Sequence, residues 1–276
     1  MHADKYSLVT HPRDPRFLAL RSLQNQRDRI QTGLYRIEGI RHVARAFECR
    51  APMQSVFLEP SVLTNRFGQK LARRLRLSGV PGIRLSPQLY REITLATEPQ
   101  GIGVVLHQHW TPLGSLRLSR DSLWLAVESI DSPGNLGTIV RTAEATGVSG
   151  IFTLSSGSDH SNPDPWDPAA VRASMGSLFS QELVRCSNRE FVEWAKAYGV
   201  CIVGSSPGGL LDYKALRYRW PVALLIGSER HGLSDQLIET ADFMVRIPMR
   251  GGCDSINAAV AAGVLLFEMA NQRREA

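Results

Sequence analysis

The stretch from Ile247 to Met269, IPMRGGCDSINAAVAAGVLLFEM, with the apolar run that leads into it, constrains this chain more than any other. Phe243 to Ile247 is a short apolar run that stops at Pro248. A strand that ends where proline removes the next backbone donor fits that pattern. Gly251 and Gly252 permit backbone angles that side chains forbid. Asp254 or Ser255 is then placed to cap a helix starting near Asn257. That helix opens with Ala258, Ala259, Ala261, Ala262 and Gly263 before Leu265, Leu266 and Phe267. Small residues let a second backbone, or a flat ligand, come very close. Taken alone, these residues describe an ordinary loop followed by a buried C-terminal helix.

Two other stretches change that reading. Residues 126 to 151 are AVESIDSPGNLGTIVRTAEATGVSGI, with Asn135, Gly137 and Arg141; residues 224 to 233 are LLIGSERHGL, with Gly227, Glu229 and Gly232. In this order the three segments resemble the motifs of the SpoU/TrmH family of RNA 2'-O-ribose methyltransferases. Three ordered matches are far more specific than one.

The resemblance implies an α/β catalytic domain of the SPOUT type whose C-terminal segment forms a deep trefoil knot. General rules of chain connection argue against such a knot. It implies a homodimer, with the first-motif helix and the last helix (Val264, Leu265, Phe267) at the interface. It implies S-adenosyl-L-methionine as cofactor, with Gly227, Ile247, Met249 and Ile256 in its pocket. Glycines at 204–209, 227 and 251–252 would turn the pocket loops. It further implies Asn135, Arg141, Glu229, Ser255 and Asn257 as the catalytic set, and no metal.

Each of these residues also has an ordinary use. Asn135, just before a helix that reads from about Leu136 to Thr146, can simply cap it. Glu229 can pair with Arg230 or Arg250. Arg141 can be a surface helix arginine. In the family reading it is the main catalytic group, and two roles are open to it. It can clamp a phosphate and stabilise developing alkoxide charge, or, transiently neutral, take the 2'-hydroxyl proton. A guanidinium is almost always charged, which favours the first. Two departures from the family pattern stand out. Arg230-His231 occupies a place where smaller residues are usual, and Ile256 replaces the more usual Leu.

Charge divides the chain. Residues 1–119 hold 18 Lys and Arg against 8 Asp and Glu, a net charge of +10; residues 120–276 hold 14 against 18, a net of −4. A basic module joined to a mildly acidic one points to a polyanion met by the first half. Its segments alternate between strand and helix, predicting a small α/β unit with a largely parallel sheet. One helix is expected over 14–31 and a basic one over 61–77. The segment GLYRIEGIRHVARAF resembles the opening of an L30e-like domain, which implies RNA recognition by residues 1–106. Arg41, Arg73, Arg74 and Arg172 are the candidate RNA contacts. Residues 107–119, with Pro112 and Gly114, read as a linker to a catalytic domain over 120–276. Ser155 to Pro168 reads as an exposed loop.

Cys49, Cys186, Cys201 and Cys253 stand far apart, against both a zinc site and a disulfide framework and for a cytoplasmic protein. No apolar run is long enough to cross a bilayer, and the N-terminus lacks the apolar core of a signal peptide. Ribosomal RNA is the first expected substrate, transfer RNA the second. A non-catalytic RNA-binding or assembly protein of the same fold is the rival class.

Overall fold

The computed structural model describes residues 6–155 and 163–275. Part of the loop expected at Ser155 to Pro168 therefore lies outside the described residues. The chain forms two compact units, residues 1–108 with 166–179, and residues 109–165 with 180–276.

In the first unit, chain order is β1 (Ser7–Val9), α1 (Pro15–Ser22), α2 (Gln26–Thr32), β2 (Leu34–Glu38), α3 (Ile40–Glu48), β3 (Met53–Leu58), α4 (Arg66–Leu77), β4 (Gly82–Leu85), α5 (Pro87–Ile93) and β5 (Ile102–His107). The sheet order is β1-β4-β3-β5-β2. It is mixed rather than largely parallel: β1 and β3 run parallel to β4, whereas β5 is antiparallel to both β3 and β2. The helix expected over 14–31 is two helices. Asn25 starts the second in extended backbone, and the carbonyls freed at the break are taken by Arg29, which donates to Leu23 O at 3.0 Å and Gln24 O at 2.7 Å. The basic helix starts later than 61 because Asn65 accepts from the N–H groups of Phe67 and Gly68. Phe17, Phe57, Leu85 and Tyr90 are at the centre of this unit's core.

Residues 166–179 belong to this first unit and carry α7 (Pro168–Ala173). The boundary at 120 cannot show this, because the ties are long-range. Trp166 stacks against Tyr35 with ring centres 4.6 Å apart. Asp167 caps α7 through Ala169 N–H and pairs with the buried Arg29 at 3.1 Å. Losing both the cap and a charged hydrogen bond, Asp167→Ala is expected to cost about 2 kcal/mol. A urea midpoint equal to that of the wild type would contradict this account.

The second unit is built on β6 (Leu123–Glu128), α6 (Pro133–Ala145), β7 (Gly150–Ser155), β8 (Leu183–Ser187), α8 (Asn188–Ala197), β9 (Cys201–Ser205), β10 (Leu211–Asp212), β11 (Val222–Ile226), α9 (Asp235–Thr240), β12 (Phe243–Arg246) and α10 (Ala258–Glu275). Its sheet is parallel throughout, in the order β10-β12-β9-β11-β6-β7-β8. Near-continuous apolar runs such as VALLI and LWLAV are what a strand buried on both faces requires. Trp124, Phe152, Phe191 and Trp194 pack on one another in the core. The expected linker is not a free tether. His107 ends β5, Leu116 is buried in the second core, and Thr111 N–H donates to Leu183 O at 2.7 Å.

The last helix lies alongside α6. Arg273 donates to Thr146 O and Gly147 O, the carbonyl end of α6, where a cation is favoured. Ala262, Leu265, Leu266 and Met269 face inward at 0% exposure, while Val260 and Phe267 remain 54% and 58% exposed. Leu265 is thus a core residue of its own chain. Val260 and Phe267, one heptad apart on one helix face, are the exposed apolar pair of α10.

Candidate active site

In a parallel sheet the loops that leave the carboxyl ends of the strands are free to converge. Here the loops after β9, β11 and β12 enclose a cleft of about 440 Å³ together with the start of α10. Ile226, Val245 and Ile247 give it apolar walls, and Gly227, Glu229, His231, Met249, Ser255 and Ile256 also line it. The backbone from 247 to 256 makes no hydrogen bond with other backbone among the described residues. Its N–H and C=O groups are therefore open to a ligand edge.

Gly227 sits where nothing larger fits. A Cβ there would meet the carbonyl carbon of Gly232 at 2.2 Å and the backbone nitrogen of Leu233 at 2.4 Å. The loop is folded back so closely because Ser228 and Gly232 exchange two backbone hydrogen bonds, each 3.0 Å.

A chain of side-chain hydrogen bonds ties three segments together. Asn257 Oδ1 accepts from the N–H groups of Ala259 at 2.9 Å and Val260 at 3.3 Å, capping α10. Its Nδ2 must then point outward, and it donates to Asn135 Oδ1 at 3.1 Å. That turns Asn135 Nδ2 towards Glu229 Oε1, 2.6 Å away. The other oxygen, Glu229 Oε2, accepts from Asp131 N–H at 3.1 Å. An ionised carboxylate can only accept, so it fixes the direction of the whole chain.

Several ordinary uses drawn from sequence are displaced by this geometry. Asn135 does not cap α6; the helix starts at Pro133, and Ser132 caps it by accepting from Asn135 N–H. Neither Asp254 nor Ser255 caps α10, since Asn257 does. Glu229 bonds to Asn135, whereas Arg230 approaches Asp131 at 3.9 Å. Arg141 is exposed on α6 and is not among the residues lining the cleft of its own chain. In the first unit, Arg41 is exposed on α3, and Arg73 and Arg74 are exposed on α4. Arg172 is exposed on α7 and donates to Leu95 O at 3.2 Å.

One supporting group escapes a motif-based reading. Glu128 is 3% exposed at the end of β6. Its carboxylate accepts from Asn188 Nδ2 at 2.7 Å and from Ser234 N–H at 2.8 Å, anchoring the far end of the 227–233 loop. The available signal was a carboxylate closing the apolar run LWLAV. Among the described residues, no group of three or more His, Cys, Asp or Glu is placed to hold a metal ion, and no helix is long and apolar enough to cross a membrane.

Comparison with known proteins agrees with the three motifs. The pattern of the SpoU rRNA Methylase family matches residues 122–267, and that of the MRM3-like substrate binding domain matches residues 14–103. The 23S rRNA (uridine(2479)-2'-O)-methyltransferase of Streptomyces viridochromogenes is 31% identical over 91% of this chain and 87% of its own. The 23S rRNA (guanosine(2553)-2'-O)-methyltransferase of Bacillus subtilis is 26% identical over 90% and 93%. Among solved structures, the SpoU methyltransferase AviRb of Streptomyces viridochromogenes in complex with AdoMet superposes with a TM-score of 0.85 at 30% identity, covering 95% of this chain and 99% of that one. An AdoMet-bound rRNA methyltransferase from Sinorhizobium meliloti gives 0.84 at 30% identity over 96% and 98%. The chain described here belongs to the SpoU rRNA methylase family.

Proposed function

We propose that this chain methylates a ribose 2'-hydroxyl of ribosomal RNA, using S-adenosylmethionine. The observation that carries the reading is the Asn257–Asn135–Glu229 chain of hydrogen bonds beside a cleft with apolar walls at Ile226, Val245 and Ile247 in the second unit. The cleft suits the cofactor: Ile226, Val245 and Ile247 offer apolar faces to a purine, and the backbone beyond Ile247 offers the donors and acceptors its edge needs. When bound, the cofactor supplies an electrophilic methyl group on a sulfonium. The protein's part is alignment and electrostatics. Gly227, Ile247, Met249 and Ile256 would hold the cofactor. Asn135, Asn257 and Ser255 would orient the sugar hydroxyl, with Glu229 fixing the amides. Arg141 would clamp the adjacent phosphate and stabilise charge developing on the 2'-oxygen.

This reading includes a homodimer. Arg141 is exposed and is not among the residues lining its own cleft, and the neighbouring helix α10 leaves Val260 and Phe267 exposed. A second copy packed across these helices would cover the apolar pair and bring an arginine to each cleft. The reading also takes the segment after β12 as threaded into a deep trefoil knot, which the strand order β12-β9-β11-β6 and the return of α10 to α6 support. The first unit is taken as an L30e-like RNA-recognition domain, with Arg41, Arg73, Arg74 and Arg172 facing the polyanion, and the site of action as cytoplasmic. Relatives named for 23S rRNA favour that substrate over transfer RNA.

Mapping of 2'-O-methyl riboses in total RNA, with and without the protein, tests this directly. A methylated ribose in 23S rRNA should appear only when the protein is present. Modification confined to transfer RNA would redirect the substrate, and none at all, with cofactor binding intact, would leave a non-catalytic RNA-binding protein.

A further inference from the structure

Among the described residues, four helices end in the same turn. Ala51, Val80, Val148 and Val200 each donate backward to Ala46, Leu75, Ala143 and Ala195, closing α3, α4, α6 and α8. That turn needs a left-handed residue just before the donor, normally glycine. Gly79, Gly147 and Gly199 supply it after α4, α6 and α8, with φ of 79°, 68° and 64°. After α3 the residue is Arg50, with φ of 54°. A side chain in this conformation costs stability that glycine would not. Among the described residues the Arg50 side chain makes no hydrogen bond or ion pair to offset that cost.

Arg50 opens onto a groove of about 460 Å³ whose walls include Phe47, Glu48, Met53 and Arg74. The Arg74 guanidinium lies over the Phe47 ring, 4.9 Å from its centre, pairing a cation with an aromatic ring at the groove wall. Phe47 and Met53 are half-buried, while Arg50 and Arg74 are exposed, as is Arg73 on the same helix as Arg74.

We propose that this groove seats one unpaired nucleotide of the RNA substrate, its base on the Phe47–Arg74 pair and its phosphate on Arg50. The proposal rests on the RNA reading above. A base offers a free π-face only when unpaired, and aromatic and guanidinium planes are its usual partners. Glu48 separates RNA from an acidic protein segment: its carboxylate accepts from base N–H groups but repels other carboxylates.

The test uses the full chain and fluorescence anisotropy with a labelled single-stranded oligonucleotide of 23S rRNA sequence and its duplex form. Arg50→Gly should raise the thermal midpoint, because it relieves the turn. It should also weaken single-strand binding about five- to tenfold and lower the salt slope by about one. Phe47→Leu, which keeps an apolar side chain in place, should weaken it about tenfold with the salt slope unchanged. Duplex binding should change little in either variant. Wild-type single-strand affinity and salt slope in Arg50→Gly would overturn the proposal, as would a fall in its thermal midpoint. Loss of binding to an oligoglutamate peptide instead would assign the groove to a protein partner. If the wild-type protein itself binds neither RNA, the RNA reading fails, and this proposal with it.

Discussion

Gly227→Ala is expected to weaken S-adenosylmethionine binding sharply and to cut methyl transfer about 10²-fold, the scale of misplacing reacting groups by about 1 Å. The new Cβ would stand 2.2 Å from one backbone carbon of Gly232 and 2.3 Å from its carbonyl oxygen. Neither is the tip of a flexible side chain, so the loop must open. Opening breaks the pair of hydrogen bonds between Ser228 and Gly232 and moves Glu229, which lies between them in sequence. Overpacking of this kind also costs about 1–3 kcal/mol of stability. Gly251→Ala is the matched control, because a Cβ there meets nothing within 4 Å. Isothermal titration should show near-normal binding for Gly251→Ala and a collapse for Gly227→Ala. Equal affinity in the two variants would mean that the 227–232 turn does not shape the cofactor cleft.

The sheet of the second unit was largely legible because its strands are written as apolar runs, and period and composition suffice to find such runs. The two-residue strand β10 carries no such run, and α9 is only six residues long. Helix caps are less legible than strands. Asn135 stands beside a helix start, as a cap does, yet Ser132 three residues earlier does the capping and leaves the Asn135 amide free. Asp254, Ser255 and Asn257 are all competent caps; Asn257, directly before the helix, is the one used, and its remaining amide hydrogens turn to Asn135. The place of residues 166–179 was not legible at all. It depends on pairs such as Arg29 with Asp167, 138 positions apart, which no local pattern announces. Arg29 is set apart from the other arginines of the first half by no local pattern. It is 2% exposed and holds the helix break, α7 and part of the first unit's packing at once.

Arg141→Ala should fold and bind the cofactor normally while kcat falls about 10²- to 10³-fold, the usual cost of removing a donor that stabilises transition-state charge. The side chain is exposed and makes no hydrogen bond or ion pair among the described residues, so stability should change by no more than about 0.5 kcal/mol. It does not line its own cleft, so cofactor affinity should not move. Arg141→Lys keeps the charge but loses the bidentate fork, and should fall between wild type and Arg141→Ala. Mixing then asks where the arginine acts. In a two-fold dimer whose arginine serves the partner's cleft, a mixed pair of Arg141→Ala and Gly227→Ala subunits has one intact site. It combines the cleft of the first subunit with the arginine of the second. Random reassortment of the two inactive proteins should then restore about a quarter of wild-type methyl transfer. If each arginine served its own cleft, every site in the mixture would carry a lesion, and no activity would return.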